Sequence, residues 1–147
     1  MRTHANGTSL RSDTQAVSID APAEQVFDFV ADPENLPTWA VGFCRAICRA
    51  GDGWLVTTAQ GEVGIRYVTD RALGVIDFYL SPAPGVEAAA FSRVLPSGGG
   101  AEYVFTQFQG PGVPDEVFAG QVAALGEELH VLRALVRARA ACPASAR

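Results

Sequence analysis

The spacing of apolar residues divides the chain into three stretches. Gln15 to Asp20 alternates, with Val17 and Ile19 on one side, which predicts a short strand. Val26, Phe29 and Val30 then recur at helical spacing. Asp20 is placed to cap that helix, Pro22 and Glu24 suit its first turn, and the helix should stop near Asp32. Asp32-Pro33-Glu34 opens a second short helix in the same manner, ending around Trp39. Residues 1–14 are polar and aperiodic and read as a flexible tail.

From Phe43 to Gln109 the period falls to two. About six short runs are separated by Gly- and Pro-rich breaks, the order of an antiparallel meander. A tight turn at Gln60-Gly61 would oppose Trp54 to Tyr67, Val56 to Ile65 and Thr58 to Val63. Across the next turn Tyr67 would meet Ile76, Ile65 would meet Phe78, and Arg66 would face Asp77 as an opposite-charge pair. Carried on, the pattern sets Phe91 and Arg93 beside Phe105 and Tyr103, with Gln107 in the same row. The inward face is then Trp54, Val56, Ile65, Tyr67, Ile76, Phe78, Ala89, Phe91, Tyr103 and Phe105. Tyr79, Val75, Val68 and Phe108 fall on the outer face. That much exposed apolar surface invites a second copy, giving a homodimer through the convex side.

After Pro114 the period becomes helical. Asp115 can cap, and Phe118, Val122, Leu125, Leu129, Leu132 and Val136 recur every three or four residues. The helix would run about 25 residues, roughly 37 Å at 1.5 Å per residue. Arg133, Arg137 and Arg139 suit its C-terminal end. One aromatic sheet face and one amphipathic helix must bury each other.

Composition narrows the functional classes. The chain has 147 residues, 48% hydrophobic and 18% charged, enough for one domain with a real core. A net charge of -5 speaks against a general nucleic-acid or anionic-membrane binder. All eleven basic residues are Arg, which excludes a Schiff-base or phosphate-loop lysine. No apolar run approaches the roughly 20 residues of a membrane helix. The first residues lack the apolar core of a signal peptide, so a cytoplasmic protein is expected. Three cysteines, Cys44, Cys48 and Cys142, fit that compartment as thiols. Cys44 and Cys48 on one strand would lie about 13 Å apart, beyond disulfide reach. With His4 and His130 distant, no zinc-ligand set exists, and Glu127-x-x-His130 is a single copy of a motif that di-iron sites need twice.

The segment from Val17 through Ala-Pro-Ala-Glu24, the apolar helix, Asp32 and Trp39 resembles the START-like (SRPBCC) superfamily, in particular its polyketide cyclase/dehydrase and lipid-transport branch. Gly98-Gly99-Gly100 before the last strand and the long final helix fit the same pattern. The resemblance spans about residues 15–141, leaving tails at 1–14 and 142–147. It implies an α+β helix-grip fold of the START/Bet v 1 kind: a curved antiparallel sheet of about seven strands around a long C-terminal helix, with two short helices after strand 1. It also implies a cavity between sheet and helix. Gly120 and Gly126 on the helix and Ala88 to Ala90 on a strand either leave that space or allow close packing.

Within such a cavity the ligand-contacting candidates are Phe29, Trp39, Trp54, Val56, Ile65, Tyr67, Ile76, Phe78, Phe91, Arg93, Tyr103, Phe105, Gln107, Val122, Leu125 and Leu129, with Thr58 and Gln121 as further polar groups. Arg93 beside Tyr103 would anchor a carboxylate, enolate or phenolate, unless Arg93 snorkels to water. His130 has an unperturbed pKa near neutrality and is the natural proton carrier, unless it faces solvent from the helix edge. Arg93, Tyr103 and His130 are therefore the catalytic candidates. No Ser-His-Asp pattern, nucleophile elbow, phosphate loop or dinucleotide fingerprint is present. Three readings follow: a cofactor-free, metal-free module binding a small hydrophobic, lipid- or polyketide-like molecule; a cyclase/aromatase or dehydratase using the same cavity; or an interaction protein with a solid core.

Overall fold

The computed structural model describes residues 8–142. Seven antiparallel strands form one sheet: β1 (Ser12–Ile19), β2 (Ala46–Ala50), β3 (Gly53–Thr58), β4 (Gly61–Asp70), β5 (Val75–Ala83), β6 (Val86–Ser97) and β7 (Gly100–Phe108). Their order is β1-β7-β6-β5-β4-β3-β2, a meander with the first strand added beside the last. Helix α1 (Ala23–Ala31), a 3-10 turn (Pro33–Asn35) and α2 (Leu36–Trp39) follow β1, and α3 (Asp115–Ala140) closes the chain. This is the helix-grip arrangement. No helix among the described residues is long and apolar enough to cross a membrane.

The first strand begins at Ser12 rather than Gln15, because main-chain pairing continues from Thr14 back to Ser12 against β7 although its side chains are polar. Thr14 and Thr106 hydroxyls meet across this pair at 2.8 Å. Residues 12–14 thus belong to the sheet, while 1–7 and 143–147 of the expected tails lie outside the described residues. Asp20 does not cap α1. The chain turns tightly at Ala21, whose N–H goes to the Ile19 carbonyl, and Pro22 takes the cap position with no side-chain bond. Asp32 does cap the next turn, accepting the Glu34 N–H at 3.0 Å. Pro114, not Asp115, precedes α3; Asp115 is its first residue and binds Gln109 and Arg11 instead.

The registers correct the predicted pairings in two different ways. Trp54 faces Ile65 and Val56 faces Val63, a slip of two residues, because the β3–β4 hairpin turns at Ala59-Gln60. Between β4 and β5 the slip is again two, so Tyr67 faces Phe78. A slip of two preserves which face each side chain occupies. It does break the expected Arg66–Asp77 pair: Arg66 lies opposite Tyr79, stacks over its ring at 4.6 Å, and reaches Glu87 at 3.6 Å.

The β6–β7 pairing is off by one, and there the faces exchange. Val94 faces Tyr103 and Ser92 faces Phe105. Ala90, Ser92 and Val94 are the buried residues of β6, whereas Phe91 and Arg93 point outward. Ala89 likewise alternates to the outer side. A bulge between Leu80 and Ala83 shifts the β5–β6 pairing and lets Ala90 sit opposite Phe78. Outward placement spares the core an unpaired guanidinium. Phe91, 39% exposed, is partly covered by edge contacts with Tyr79 and Phe108 at 6.2 and 6.0 Å.

The core lies between the concave sheet face and the helices. Ile19, Val56, Ile76 and Tyr103 from the sheet meet Val26 and Val30 of α1 and Leu125, Leu129, Leu132 and Val136 of α3. Gly74 fixes the turn before β5. Its φ is +73°, its carbonyl accepts the Val94 N–H, and an added Cβ would stand 2.3 Å from the Val94 carbonyl oxygen.

Candidate functional site

Helix α3 approaches the sheet unevenly. Along β1 it is close: Gln15 donates to the Val122 carbonyl at 2.9 Å, and a Cβ on Gly126 would come within 3.2 Å of Gln15 Oε1. From the middle strands it stands back, and a hollow of about 330 Å3 lies in the gap. Ile65, Phe78, Leu80 and Phe105 form its sheet wall, Leu125 and Glu128 its helix wall, and Trp39 and Phe43 its end toward α2. Ala88, Ala90 and Ala124 line it too; three methyl groups stand where longer side chains would fill the space. The volume falls at the lower end of the roughly 300–1,000 Å3 usual for small-molecule sites.

Glu128 carries the main titratable chemistry of the wall. It is only 7% exposed and follows from helical spacing, three residues after Leu125 and four before Leu132. Its Oε2 accepts the Gly42 N–H at 2.9 Å, and the Phe43 N–H lies close enough to favour the ionised carboxylate. The loop comes so close because Gly42 has no side chain; a Cβ there would lie 3.1 Å from Oε2. Burial pushes the Glu128 pKa up to about 7, against the downward pull of the two N–H donors. Cys44 is buried beside this group with its thiol on the Ala46 carbonyl. Burial first, and the Glu128 charge in addition, push its pKa up to about 11.

Trp39 Nε1 and the Tyr67 hydroxyl are buried without a hydrogen-bond partner, and the Tyr103 hydroxyl is buried beside that of Ser92. The rings form a connected set. Trp39 meets Tyr103 edge-on at 6.5 Å, Tyr103 meets Phe105 at 6.4 Å, and Tyr67 meets Phe78 at 4.9 Å. Burial holds both phenols well above their ordinary pKa, so they are neutral donors. The Ser92 hydroxyl, on the same face, is committed to the Ile76 carbonyl at 2.6 Å.

Of the residues expected at the site, Trp39, Ile65, Phe78, Phe105, Gln107, Gln121 and Leu125 line the hollow. Gln107 also ties β7 to α3 by donating to Asp13 and to the Gln121 carbonyl. Tyr67 and Tyr103 stand directly behind the lining rings. Val56, Ile76 and Leu129 are buried core, and Val122 is half-buried on α3. Trp54 lies near the sheet's far end with Arg49 over its ring at 5.0 Å, and Phe29 sits beneath Arg139. Thr58 is buried but serves its hairpin, donating to the Gly61 carbonyl.

Three expected members are elsewhere. Phe91 and Arg93 lie on the convex face, and Arg93 Nε donates to the Leu73 carbonyl at 2.9 Å. His130 is exposed on α3, 3.3 Å from Arg133. The Arg93–Tyr103 anchor therefore does not form, because the two residues occupy opposite faces. No Arg or His lines the hollow. Among the described residues no three His, Cys, Asp or Glu side chains gather to hold a metal ion. Glu128 and the Gly42-Phe43 loop were missed, although the i+3 and i−4 spacing to Leu125 and Leu132 is the signal that finds the carboxylate.

Comparison with known proteins agrees with this architecture. Residues 12–137 match the family described as polyketide cyclase / dehydrase and lipid transport. Among solved structures, the chain is similar to the Zhui aromatase/cyclase from Streptomyces sp. R1128, with 19% identity and TM-score 0.66 over 89% of this chain and 96% of that one. It is also similar to the di-domain aromatase/cyclase BexL of the BE-7585A biosynthetic pathway, with 19% identity and TM-score 0.67 over 84% of this chain and 45% of that one. A third similar structure is the Aha1 dimer from Colwellia psychrerythraea, with 11% identity and TM-score 0.68 over 86% and 96% of the two chains. At these identities the likeness is one of fold. No curated protein sequence matches the chain.

Proposed function

The chain belongs to the polyketide cyclase / dehydrase and lipid transport family, and from that premise we propose that it binds a small, largely apolar molecule in the hollow between the sheet and α3. The observation that carries this reading is the 330 Å3 space itself, walled by Ile65, Phe78, Leu80, Phe105 and Leu125 where a solid core would be packed. Apolar walls supply most of the binding free energy, at about 25 cal/mol per Å2 of surface removed from water.

An uncharged, environment-sensitive naphthylamine dye tests it. Wild-type protein should bind the dye saturably at one site with a blue-shifted emission. Ala88 lines the hollow yet is itself exposed, so Ala88→Phe introduces a plug at the mouth with little strain on the core. That variant should keep its fold by circular dichroism and bind at least ten times more weakly. Absence of saturable binding, or equal binding by Ala88→Phe, would count against the hollow as the site.

Glu128 favours a second reading, a cofactor-free cyclase or dehydratase acting in the same space. A carboxyl with pKa near 7 in an apolar wall can give or take a proton at neutral pH, and positioning supplies the remainder. In that case turnover of a poly-β-ketone substrate should fall with Glu128→Gln while dye affinity stays constant.

A further inference from the structure

We propose that the apolar molecule held in the hollow carries a basic nitrogen, and that the Glu128 carboxylate selects it by pairing with the ammonium group. This inference rests on the reading of the hollow as a ligand site and adds the chemical class of what enters it.

Glu128 is a charged residue set where the fold offers it no charge in return. Helical spacing puts it on the inward stripe of α3, in the wall of the hollow and only 7% exposed. The rest of that wall is apolar or carries the neutral amides of Gln60, Gln107 and Gln121. The ion pairs among the described residues join Arg11 to Asp115, Arg66 to Glu87 and Arg71 to Asp28, and Glu128 belongs to none of them. A buried charge without an opposite charge is costly. Its structural task, accepting the Gly42 N–H, needs only an oxygen, which a neutral glutamine would supply as well. The charge is therefore surplus to the fold.

The chemistry of the carboxylate defines its complement. An ionised carboxylate offers about four lone-pair sites. The Gly42 N–H takes one of them on Oε2, with the Phe43 N–H close by, which leaves acceptor capacity for a donor on the ligand. Burial pushes the Glu128 pKa up to about 7, and only backbone N–H groups pull the other way. An ammonium at hydrogen-bond distance supplies the missing attraction and makes a charge-assisted bond. Cys44, the titratable group beside Glu128, stays a neutral thiol with its pKa pushed up to about 11, so it brings no competing charge. An anionic group would meet Glu128 with like charge and find no Arg or His in the wall to offset it. An uncharged hydroxyl would bond to the carboxylate and leave its charge unmatched.

The test uses three probes built on one ring system, displacing the naphthylamine dye at pH 8. They are 2-naphthylmethylamine, predominantly a cation at that pH, its uncharged counterpart 2-naphthylmethanol, and 2-naphthoate. The amine should displace the dye at least about tenfold more effectively than the alcohol, and the naphthoate should be the weakest. Glu128→Gln should bring the amine down to the level of the alcohol while the alcohol and the dye change by less than about twofold. The amide keeps an oxygen for the Gly42 N–H, circular dichroism checks the fold, and the wild-type order of probes is a separate readout. None of the probes is turned over, so binding is read apart from catalysis.

Equal displacement by the amine and the alcohol would overturn the inference and leave the hollow as an apolar site. Preference for 2-naphthoate would overturn it through the charge argument. An amine preference that survives in Glu128→Gln would overturn the assignment to this carboxylate. Failure of the dye to bind at all would remove the cavity reading, and this inference with it.

Discussion

Replacing Glu128 by glutamine should alter how stability depends on pH, in a direction fixed by its position in the wall. Its pKa rises from an ordinary 4.5 to about 7 on folding. Between those values the folded chain holds a proton that the unfolded chain releases. Stability from this group is therefore fully present below about pH 4.5, declines as pH rises, and is gone above about 7. At about 1.4 kcal/mol per pKa unit, the whole change amounts to roughly 3 kcal/mol. The amide of Glu128→Gln keeps an oxygen for the Gly42 N–H, now at 2.9 Å from Oε2, and cannot ionise. Wild type and variant should match near pH 5, and at pH 8 the variant should be more stable by about 1–3 kcal/mol. In melting temperature that is on the order of 3–10 °C for a chain of this size. Urea unfolding of both proteins at four pH values from 5 to 8 measures the difference, and contributions from other titrating groups cancel in it. Parallel curves would refute the reasoning. They would mean that the Gly42 and Phe43 N–H groups hold the carboxylate ionised despite its burial.

Three other substitutions follow from the same contacts. Tyr67→Phe removes a buried hydroxyl with no partner, so the ligand-free protein should gain up to about 1 kcal/mol; a melting temperature several degrees lower would indicate a bound water instead. Arg93→Ala, on the convex face, should leave dye affinity within twofold and cost under about 1 kcal/mol, since it loses only an exposed bond to Leu73. Gly74→Ala forces a methyl group against the Val94 carbonyl at a φ of +73°. It should cost at least about 2 kcal/mol, and chemical denaturation showing wild-type stability would refute that account.

Element order was legible because each element carries its own period. Val17 and Ile19 mark a strand, and Phe118 through Val136 mark a helix, independently of what packs on them. Register depends on turn geometry, and the slips of two residues came from a β3–β4 turn placed one residue too late and a β4–β5 turn placed one residue too early. Those errors were harmless to the face assignment because strand periodicity is two. The bulge after Leu80 was different. One extra residue reverses every subsequent face assignment until another irregularity, and it moved Phe91 and Arg93 out of the site together. β6 offers little to detect this, since Ala88, Ala89 and Ala90 are indifferent to side. The decisive local clue was Arg93: placing it outward leaves one exposed Phe91, whereas placing it inward leaves an unpaired cation in an apolar core. Free-energy magnitudes favour the first, and applied to the sequence they would have chosen the right face.

The same comparison of magnitudes bears on why the site looks as it does. Ala88, Ala90 and Ala124 forgo packing contacts that larger residues would make, and the unpartnered Trp39 and Tyr67 atoms each cost on the order of 1–3 kcal/mol by themselves. Both features weaken the ligand-free fold. Gln15 and Gln107, which tie β1 and β7 to α3, are satisfied: each donates to Asp13 and to a carbonyl of α3. The chain thus satisfies the amides that hold α3 to the sheet and leaves the space beside Phe78 and Phe105 unfilled. That contrast favours a hollow kept open for an apolar occupant over a core that is merely imperfect.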